Sequence, residues 1–161
     1  MRIAAAAVAA LVVVPSAAAA SLSFSITTTS PLTAPGITLS GDDQTKTFTI
    51  ATQVAYTGTN NTAGWKVQAH QTQPKSGTRL LPFFIVTAGS FACSSGCAAD
   101  PTSGITYPIT LSTSAQTIFN AAANTGRGTY NVTNTYQVSY PANAIAATYS
   151  STVTLTGSTG P

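Results

Sequence analysis

The sequence predicts an all-β protein, and more narrowly an antiparallel, Ig-like β-sandwich of about seven to eight strands. Three observations support this fold class. Apolar residues alternate with Thr, Ser, Asn or Gln along most of the chain, turn residues recur at roughly ten-residue spacing, and only 6% of the 161 residues are charged. Alternation with a period of two puts apolar side chains on one face of a strand and polar ones on the other.

The strongest strand signals lie in the stretch 129–156. Its first half carries apolar side chains at even positions, and its second half carries them at odd positions. The parity changes at 141–144, Pro-Ala-Asn-Ala, where proline has no N–H for a strand ladder and asparagine tolerates turn geometry. We therefore predict two long final strands joined by a short irregular link. The apolar positions are Tyr130, Val132, Tyr136, Val138 and Tyr140, then Ile145, Ala147, Tyr149, Val153 and Leu155.

Earlier segments show the same alternation. It predicts a short edge piece at 37–39 and strands at 21–29, 46–57, 65–70 and 105–111. The near-continuous apolar run 80–91 favours a buried strand over a helix because of its length and aromatic content. Pro108 has no N–H to donate to a strand ladder, so we expect the strand that contains it to lie at a sheet edge. Only the Ala-rich segment 114–124 favours a helix, and there we expect a single turn.

Residues 1–20 have the features of a secretory signal peptide. Arg2 precedes an apolar run that Pro15 interrupts, and the segment ends in an A-x-A cleavage site. A transmembrane anchor needs about 20 consecutive apolar residues, more than this run contains. We therefore expect cleavage after Ala20, export from the cytoplasm, a single domain over 21–161 and no transmembrane segment.

The chain has two cysteines, Cys93 and Cys97, which close a small glycine-containing loop. Outside the cytoplasm such a pair is most simply a disulfide. A zinc site needs further Cys or His ligands, and a redox pair has the shorter C-x-x-C spacing. We therefore predict a structural disulfide that stiffens a hairpin tip and contributes about 2 kcal/mol.

Charge is scarce, with six Lys or Arg against three Asp or Glu and a formal net charge of +3. Apart from Arg2, the basic residues are dispersed at Lys46, Lys66, Lys75, Arg79 and Arg127. No basic stripe follows a phosphate backbone, so we expect no nucleic-acid partner. Hydroxyl and amide side chains must supply the solubility instead.

The residues do not indicate a catalytic or metal site. Asp42, Asp43 and Asp100 are the only acids, and two of them are adjacent in a predicted turn, whereas glycoside hydrolysis needs two carboxyl groups facing each other about 5 to 9.5 Å apart. His70 is the only histidine, and no G-x-S-x-G nucleophile motif occurs. The Asp pair lacks a calcium-loop pattern. We therefore predict that the protein is not an enzyme and has no cofactor and no metal site.

Four segments carry a resemblance to a known family. They are Gly64–Ala69 (GWKVQA), Pro82–Val86 (PFFIV), Val138–Ala142 (VSYPA) and Ala147–Leu155 (ATYSSTVTL). Together they resemble the WxL (Trp-x-Leu) cell-wall domain of small secreted surface proteins from Gram-positive bacteria, in particular the actinobacterial type, with Val67 where the motif has leucine. The resemblance implies a noncatalytic protein that associates noncovalently with peptidoglycan or another wall polymer.

The same resemblance makes Trp65 and Val67 the candidate wall-binding motif. The strand pattern also predicts which way the tryptophan side chain points. Trp65 shares its parity with Val67 and Ala69, so we expect it to pack inward rather than to display a platform for a sugar ring.

These observations favour a noncatalytic secreted or cell-wall-associated surface protein with a coating or attachment role. The alternative is a pilin-like subunit that self-associates by strand donation, in which Leu22, Phe24 and Ile26 complete the sheet of a neighbouring copy. An extracellular hydrolase would need a cleft in which His70 meets a carboxylate.

Overall fold

The computed structural model describes residues 22–28, 32–57 and 63–160, and the backbone of Arg2–Ile3 and Ala6–Ala7. Over these residues the chain is all-β, its sheets are antiparallel, and no helix occurs. The predicted fold class is confirmed at this level. The predicted signal peptide and its cleavage site lie outside the described residues except for the two short backbone pieces, so both stay predictions.

Fourteen strands are described, numbered here in chain order. They are β1 (Arg2–Ile3), β2 (Ala6–Ala7), β3 (Leu22–Ile26), β4 (Leu32–Thr33), β5 (Ile37–Thr38), β6 (Gln44–Tyr56), β7 (Trp65–Gln71), β8 (Lys75–Ser76), β9 (Arg79–Leu80), β10 (Ile85–Ala99), β11 (Ile109–Thr110), β12 (Gln116–Ala121), β13 (Arg127–Tyr140) and β14 (Val153–Thr159).

Two sheets form most of the structure. The larger has five strands in the order β11-β10-β13-β6-β3, and the smaller has three in the order β12-β7-β14. Three additional pairs of two-residue strands are β1 with β5, β2 with β4, and β8 with β9. The longest ladder joins β6 and β13, which stay in register without a bulge from Gly128↔Tyr56 to Tyr140↔Gln44.

The two sheets share one apolar core. Trp65 and Phe119 enter it from the smaller sheet, and Tyr130 and Tyr136 enter it from the larger, each with at most 2% of its surface exposed. Phe91 of β10, which is 38% exposed, borders this core and contacts the rings of Phe119 and Tyr130 edge-on, with centroids 6.2 and 6.0 Å apart. Burial of large aromatic side chains of this kind dominates the stability of such a core.

The last two strands depart from the predicted pair. β13 covers the first half as predicted, but β14 begins only at Val153, and the link spans 141–152. Ile145 is 48% exposed rather than inward. The two strands also lie in different sheets. Side-chain alternation shows which face of a strand is buried but not which strand it pairs with, so this crossing between sheets could not be read from the pattern.

The helical turn expected at 114–124 is wrong, because this segment contains strand β12. Its register against β7 shifts between Thr117 and Phe119. A bulge of this kind places two successive side chains on the same side, and Ile118 and Phe119 are both buried. The interrupted alternation therefore looked like a helix in the sequence.

The apolar run 80–91 is not one buried strand. Leu80 belongs to the small β8–β9 hairpin and is 61% exposed, whereas Leu81 and Phe84 are buried before β10 begins at Ile85. Strand β10 then continues to Ala99 with mostly exposed residues. Hydrophobic content predicted burial correctly for part of the run but located neither end of the strand.

The predicted disulfide between Cys93 and Cys97 is present, with an S–S distance of 1.98 Å. Its predicted location at a hairpin tip is wrong, because both cysteines lie within β10. The pairing of β10 with β13 shifts register between Cys93 and Ser95 and again before Ala99. The small loop is accommodated by these irregularities, and β10 continues beyond it.

The predicted strand at 105–111 is reduced to the two residues of β11. It lies at the end of the five-stranded sheet, as Pro108 indicated. Instead of joining the ladder, the preceding segment bonds to β12, where the N–H of Gly104 donates to Asn120 Oδ1 and the Tyr107 hydroxyl donates to the carbonyl oxygen of Ile118.

Candidate functional site

The sequence-derived wall-binding motif lies in the core. Trp65 and Val67 have 0% of their surface exposed. The Trp65 indole N–H donates to the carbonyl oxygen of Gly126 at 2.8 Å, and its ring stacks on Phe119 with centroids 5.9 Å apart. In this conformation neither motif side chain is accessible to a polymer.

The N-terminal segment considered for strand donation forms β3 at one end of the five-stranded sheet. It pairs with β6 from Leu22↔Tyr56 to Ile26↔Thr52. Phe24 lies against Gly157 of β14, where an added β-carbon would approach the Phe24 ring atoms to 2.8 Å. This strand therefore closes the gap between the edges of the two sheets within its own chain.

The histidine lies apart from the aspartates in the described part of the chain. His70 is half-buried on the outer face of β7, opposite Thr154. No aspartate lies on β7 or on its neighbours β12 and β14. Asp43 instead accepts a hydrogen bond at 2.7 Å from the N–H of Ala142 in the link. In the described ranges no three His, Cys, Asp or Glu side chains lie close enough to hold a metal ion.

The outer face of the five-stranded sheet, called here the hydroxyl face, is a broad surface on which hydroxyl and amide side chains predominate. Its membership follows from cross-strand pairing, because directly opposite residues share a face. From β3, β6, β13, β10 and β11, its residues are Ser23, Ser25, Thr45, Thr47, Thr49, Ala51, Gln53, Ala55, Arg127, Thr129, Asn131, Thr133, Thr135, Gln137, Ser139, Ile85, Ala88, Ser90, Ala92, Ser95, Ala99 and Thr110.

The centre of the hydroxyl face is a set of aligned rows across β6 and β13. Thr49 is opposite Thr135, Thr47 is opposite Gln137, and Thr45 is opposite Ser139. Neighbouring strands lie about 4.8 Å apart, and successive outward residues on one strand lie about 6.7 Å apart. Because this ladder has no bulge, the hydroxyl and amide groups form a regular array.

Apart from Arg127 at the first position of β13, the hydroxyl face contains no ionisable side chain, and it contains no aromatic one. By contrast, the outer face of the three-stranded sheet carries Lys66 and His70 on either side of Gln68. A ligand at the centre of the hydroxyl face would therefore meet only uncharged side chains, most of them with hydroxyl or amide groups.

A shallow cleft of about 260 Å³ forms a second surface feature, where the 141–152 link passes the β8–β9 hairpin. It is lined by Thr72, Gln73, Lys75, Ser150, Ser151 and Thr152. Lys75 and Ser150 exchange two backbone hydrogen bonds of 3.0 and 2.9 Å. The link therefore has a fixed position against the hairpin.

Four tyrosines have raised pKa values, and burial is the main cause for each. They are Tyr107, Tyr130, Tyr136 and Tyr140. The effect is largest for Tyr136, whose hydroxyl is buried and has no hydrogen-bond partner among the described residues. These side chains lie in the core or pack against it, so their raised pKa values bear on stability.

Sequence reasoning anticipated the composition of the hydroxyl face but not its extent. The signal in the sequence is the T-x-T-x-T run from Thr45 to Thr49, which alternation places outward. The order of the five strands, which creates the surface, has no local signal. The cleft was missed because its lining residues come from two segments about 75 positions apart in the sequence.

No helix in the part of the chain that the structure describes has the length and apolar character for crossing a membrane. The chain matched no protein-family model, no curated protein and no solved structure.

Proposed function

We propose that this chain is a noncatalytic, exported β-sandwich protein that attaches to or coats a hydroxyl-rich polymer surface such as the cell wall, through its hydroxyl face. The observation that carries the proposal is the neutral, regular array of hydroxyl and amide groups on that face. The signal-peptide features of residues 1–20 and the Cys93–Cys97 disulfide support export, because disulfides persist in oxidising compartments.

Two observations support an Ig-like sandwich in the broad, architectural sense. Sheets of five and three strands share one core, and Tyr130, near the start of β13, donates its hydroxyl to the carbonyl oxygens of Ala99 and Arg127 at 2.8 and 3.2 Å. The second contact, three residues upstream, is similar to the tyrosine corner of Ig-type sandwiches. Such a sandwich presents one rigid outer face on each side.

A glycan strand suits the hydroxyl face chemically. Sugar hydroxyl and acetamido groups both donate and accept hydrogen bonds, and Thr, Ser, Asn and Gln side chains complement both roles. Each bond contributes little on its own, so attachment has to rely on many contacts along an extended polymer. Because the centre of the face carries no charge, binding there should depend little on ionic strength.

A pull-down with purified cell walls tests the proposal. Thr133→Lys puts a charge at the centre of the hydroxyl face, and Gln68→Lys is the matched control on the opposite sheet. Both variants add one positive charge, so nonspecific attraction to anionic wall polymers rises equally. We expect Thr133→Lys to reduce the bound fraction several-fold relative to Gln68→Lys, with little change on adding salt. Equal binding by the two variants, or a wild-type protein that stays in the supernatant, refutes the proposal.

The alternative of a pilin-like subunit rests on β3 being a short strand at the edge of its sheet. Donation would require β3 to leave β6 and lose its contact with Gly157. A disulfide between Ser23→Cys and Ala55→Cys, which are directly opposite, would lock the strand in place. Oligomers that disappear in the locked variant and return on reduction would support strand donation, whereas unchanged assembly would rule it out.

A further inference from the structure

We propose that the cleft between the β8–β9 hairpin and the 141–152 link binds a phosphate group, held by the Lys75 ammonium and the hydroxyl groups around it. This site is separate from the hydroxyl face and does not depend on the function proposed for that face.

The cleft presents hydrogen-bond donors. Thr72 Oγ1 already accepts from the N–H of Thr152 at 2.8 Å, so its hydroxyl proton is directed to another acceptor. The Ser150 backbone is held on both sides by Lys75, and its exposed hydroxyl has no partner among the described residues. Directly paired residues of a bridge project to the same side, which places the Ser150 hydroxyl beside the Lys75 side chain.

A buried network keeps the cleft floor in position. Gln71, with 0% of its surface exposed, donates through Nε2 to Ser151 Oγ at 3.0 Å and accepts through Oε1 from the N–H of Phe84 at 2.8 Å. Ser151 Oγ in turn donates to the carbonyl oxygen of Thr72 at 2.6 Å. Such a bonded polar network is rigid, so the backbone that carries Thr72 and Ser151 is held in position before a ligand arrives.

The charge of the cleft favours an anion. Lys75 is the only charged residue among its lining residues, and Arg79 lies on the same hairpin. None of the three aspartates lines the cleft; Asp43 bonds to the start of the link at Ala142. An ammonium with several hydroxyl donors and no carboxylate matches the oxygens of a phosphate, because lysine binds phosphate as a point charge. A neutral sugar would leave that charge without a partner.

Chemical-shift titration of the ¹⁵N-labelled protein tests this inference. Inorganic phosphate and a glycerol phosphodiester are the two probes, with sodium chloride at equal ionic strength as the reference. We expect saturable shifts confined to the amides of Thr72, Ser150 and Thr152. Lys75→Gln should weaken binding about tenfold, which corresponds to one charge-assisted contact, whereas Lys66→Gln, a charge-matched change on the outer face of β7, should leave it unchanged.

A second variant distinguishes phosphate binding in the cleft from a general attraction of phosphate to basic side chains. Ser150→Ala removes a hydroxyl that has no partner in the described residues and leaves the backbone bonds in place, and we expect it to weaken binding several-fold. Saturation by the phosphodiester identifies a polymer-linked phosphate as an acceptable ligand, and saturation by inorganic phosphate alone identifies a free or terminal one; both support the site. Shifts that chloride reproduces, or that Lys75→Gln and Lys66→Gln reduce equally, overturn it.

Discussion

The indole N–H of Trp65 donates to the carbonyl oxygen of Gly126 at 2.8 Å, and Gly126 has a φ of +71°. A β-carbon on Gly126 would lie 2.6 Å from Trp65 Nε1 and 2.6 Å from the Ala121 β-carbon. Only glycine fits this position, both because of its left-handed backbone and because the indole approaches so closely. The contact fixes Trp65 as a structural residue that connects β7 to the start of β13.

Trp65 fluorescence should report this burial. Because the chain has one tryptophan, we expect a blue-shifted emission maximum and poor quenching by iodide, both unchanged when cell-wall polymer is added. Gly126→Ala should destabilise the fold by more than about 2 kcal/mol through backbone strain and overlap with the indole. Emission that is red-shifted in the native protein, or that shifts on polymer binding, would contradict the assignment.

The Tyr136 hydroxyl offers a change expected to stabilise the protein. It is buried without a hydrogen-bond partner in the described part of the chain, while its ring stacks on Phe48 with centroids 5.5 Å apart. Tyr136→Phe keeps the ring and removes the unsatisfied group, so the free energy of unfolding should rise by about 1 kcal/mol. Tyr130→Phe is the control, because it removes a bonded hydroxyl and should cost about 1 kcal/mol. Urea denaturation measures both, and a destabilised Tyr136→Phe would show that the hydroxyl has a partner.

Stability should fall in alkaline solution. Burial raises the pKa values of Tyr107, Tyr130, Tyr136 and Tyr140 above the value of about 10 expected in the unfolded chain. The folded state therefore keeps protons that the unfolded state releases. Their contribution is complete below about pH 10 and is lost as the pH rises towards the folded pKa values, at about 1.4 kcal/mol per pH unit for each tyrosine still protonated.

Urea denaturation between about pH 8 and 12, with tyrosinate absorbance recorded in parallel, measures this dependence. Stability that stays constant well above pH 10 would mean that these hydroxyls are accessible to solvent in the folded protein. Tyr136→Phe should reduce the slope most clearly at the upper end of this range, because the pKa of Tyr136 is raised the most and its hydroxyl stays protonated to the highest pH.

Substitutions at Gly89 and Tyr107 should have strongly coupled effects on the free energy of unfolding. A β-carbon at Gly89 would lie 2.1 Å from the Tyr107 hydroxyl oxygen and 2.9 Å from Asn134 Nδ2. Gly89→Ala should therefore cost about 2–3 kcal/mol, and Tyr107→Phe about 1 kcal/mol through the lost bond to Ile118. In the double variant the costs should be less than additive, because the hydroxyl that collides is absent. Additive losses would place the strain elsewhere.

The disulfide should contribute modestly to the free energy of unfolding. Its cysteines are four residues apart, and closing so short a loop restricts the unfolded chain by about 2 kcal/mol. Replacing Cys93 and Cys97 together with serine should lower stability by that amount and preserve the β-rich circular dichroism spectrum, because β10 pairs with β13 on the N-terminal side of the loop. Loss of the folded state would show that the bond is essential for β10.

Much of the strand content was predictable because alternation is a local property. The burial of Val54 and Tyr56 in β6, and of Tyr130 to Tyr140 at even positions in β13, follows the pattern directly. The pattern failed where the backbone is irregular. The bulge before Phe119 interrupts the alternation in β12, and the segment was therefore predicted to be a helix. Leu80 lies in the tight β8–β9 hairpin and is exposed, although it belongs to an apolar run in the sequence.

The candidate sites were less predictable, because each one joins distant segments. The hydroxyl face needs Thr49 beside Thr135, and the cleft needs Lys75 beside Ser150. Sequence resemblance directed attention to Trp65 and Val67, both of which the structure buries.

The sequence by itself determined the strand character of the chain, the pairing of its two cysteines and the inward orientation of Trp65, because period-two alternation and the cysteine count act over a few residues. Only the tertiary structure decided that β13 and β14 lie in different sheets, which strands build the hydroxyl face, and where the link meets the hairpin. Those outcomes depend on the packing of two sheets around one core, which is stabilised by contacts between residues far apart in the chain.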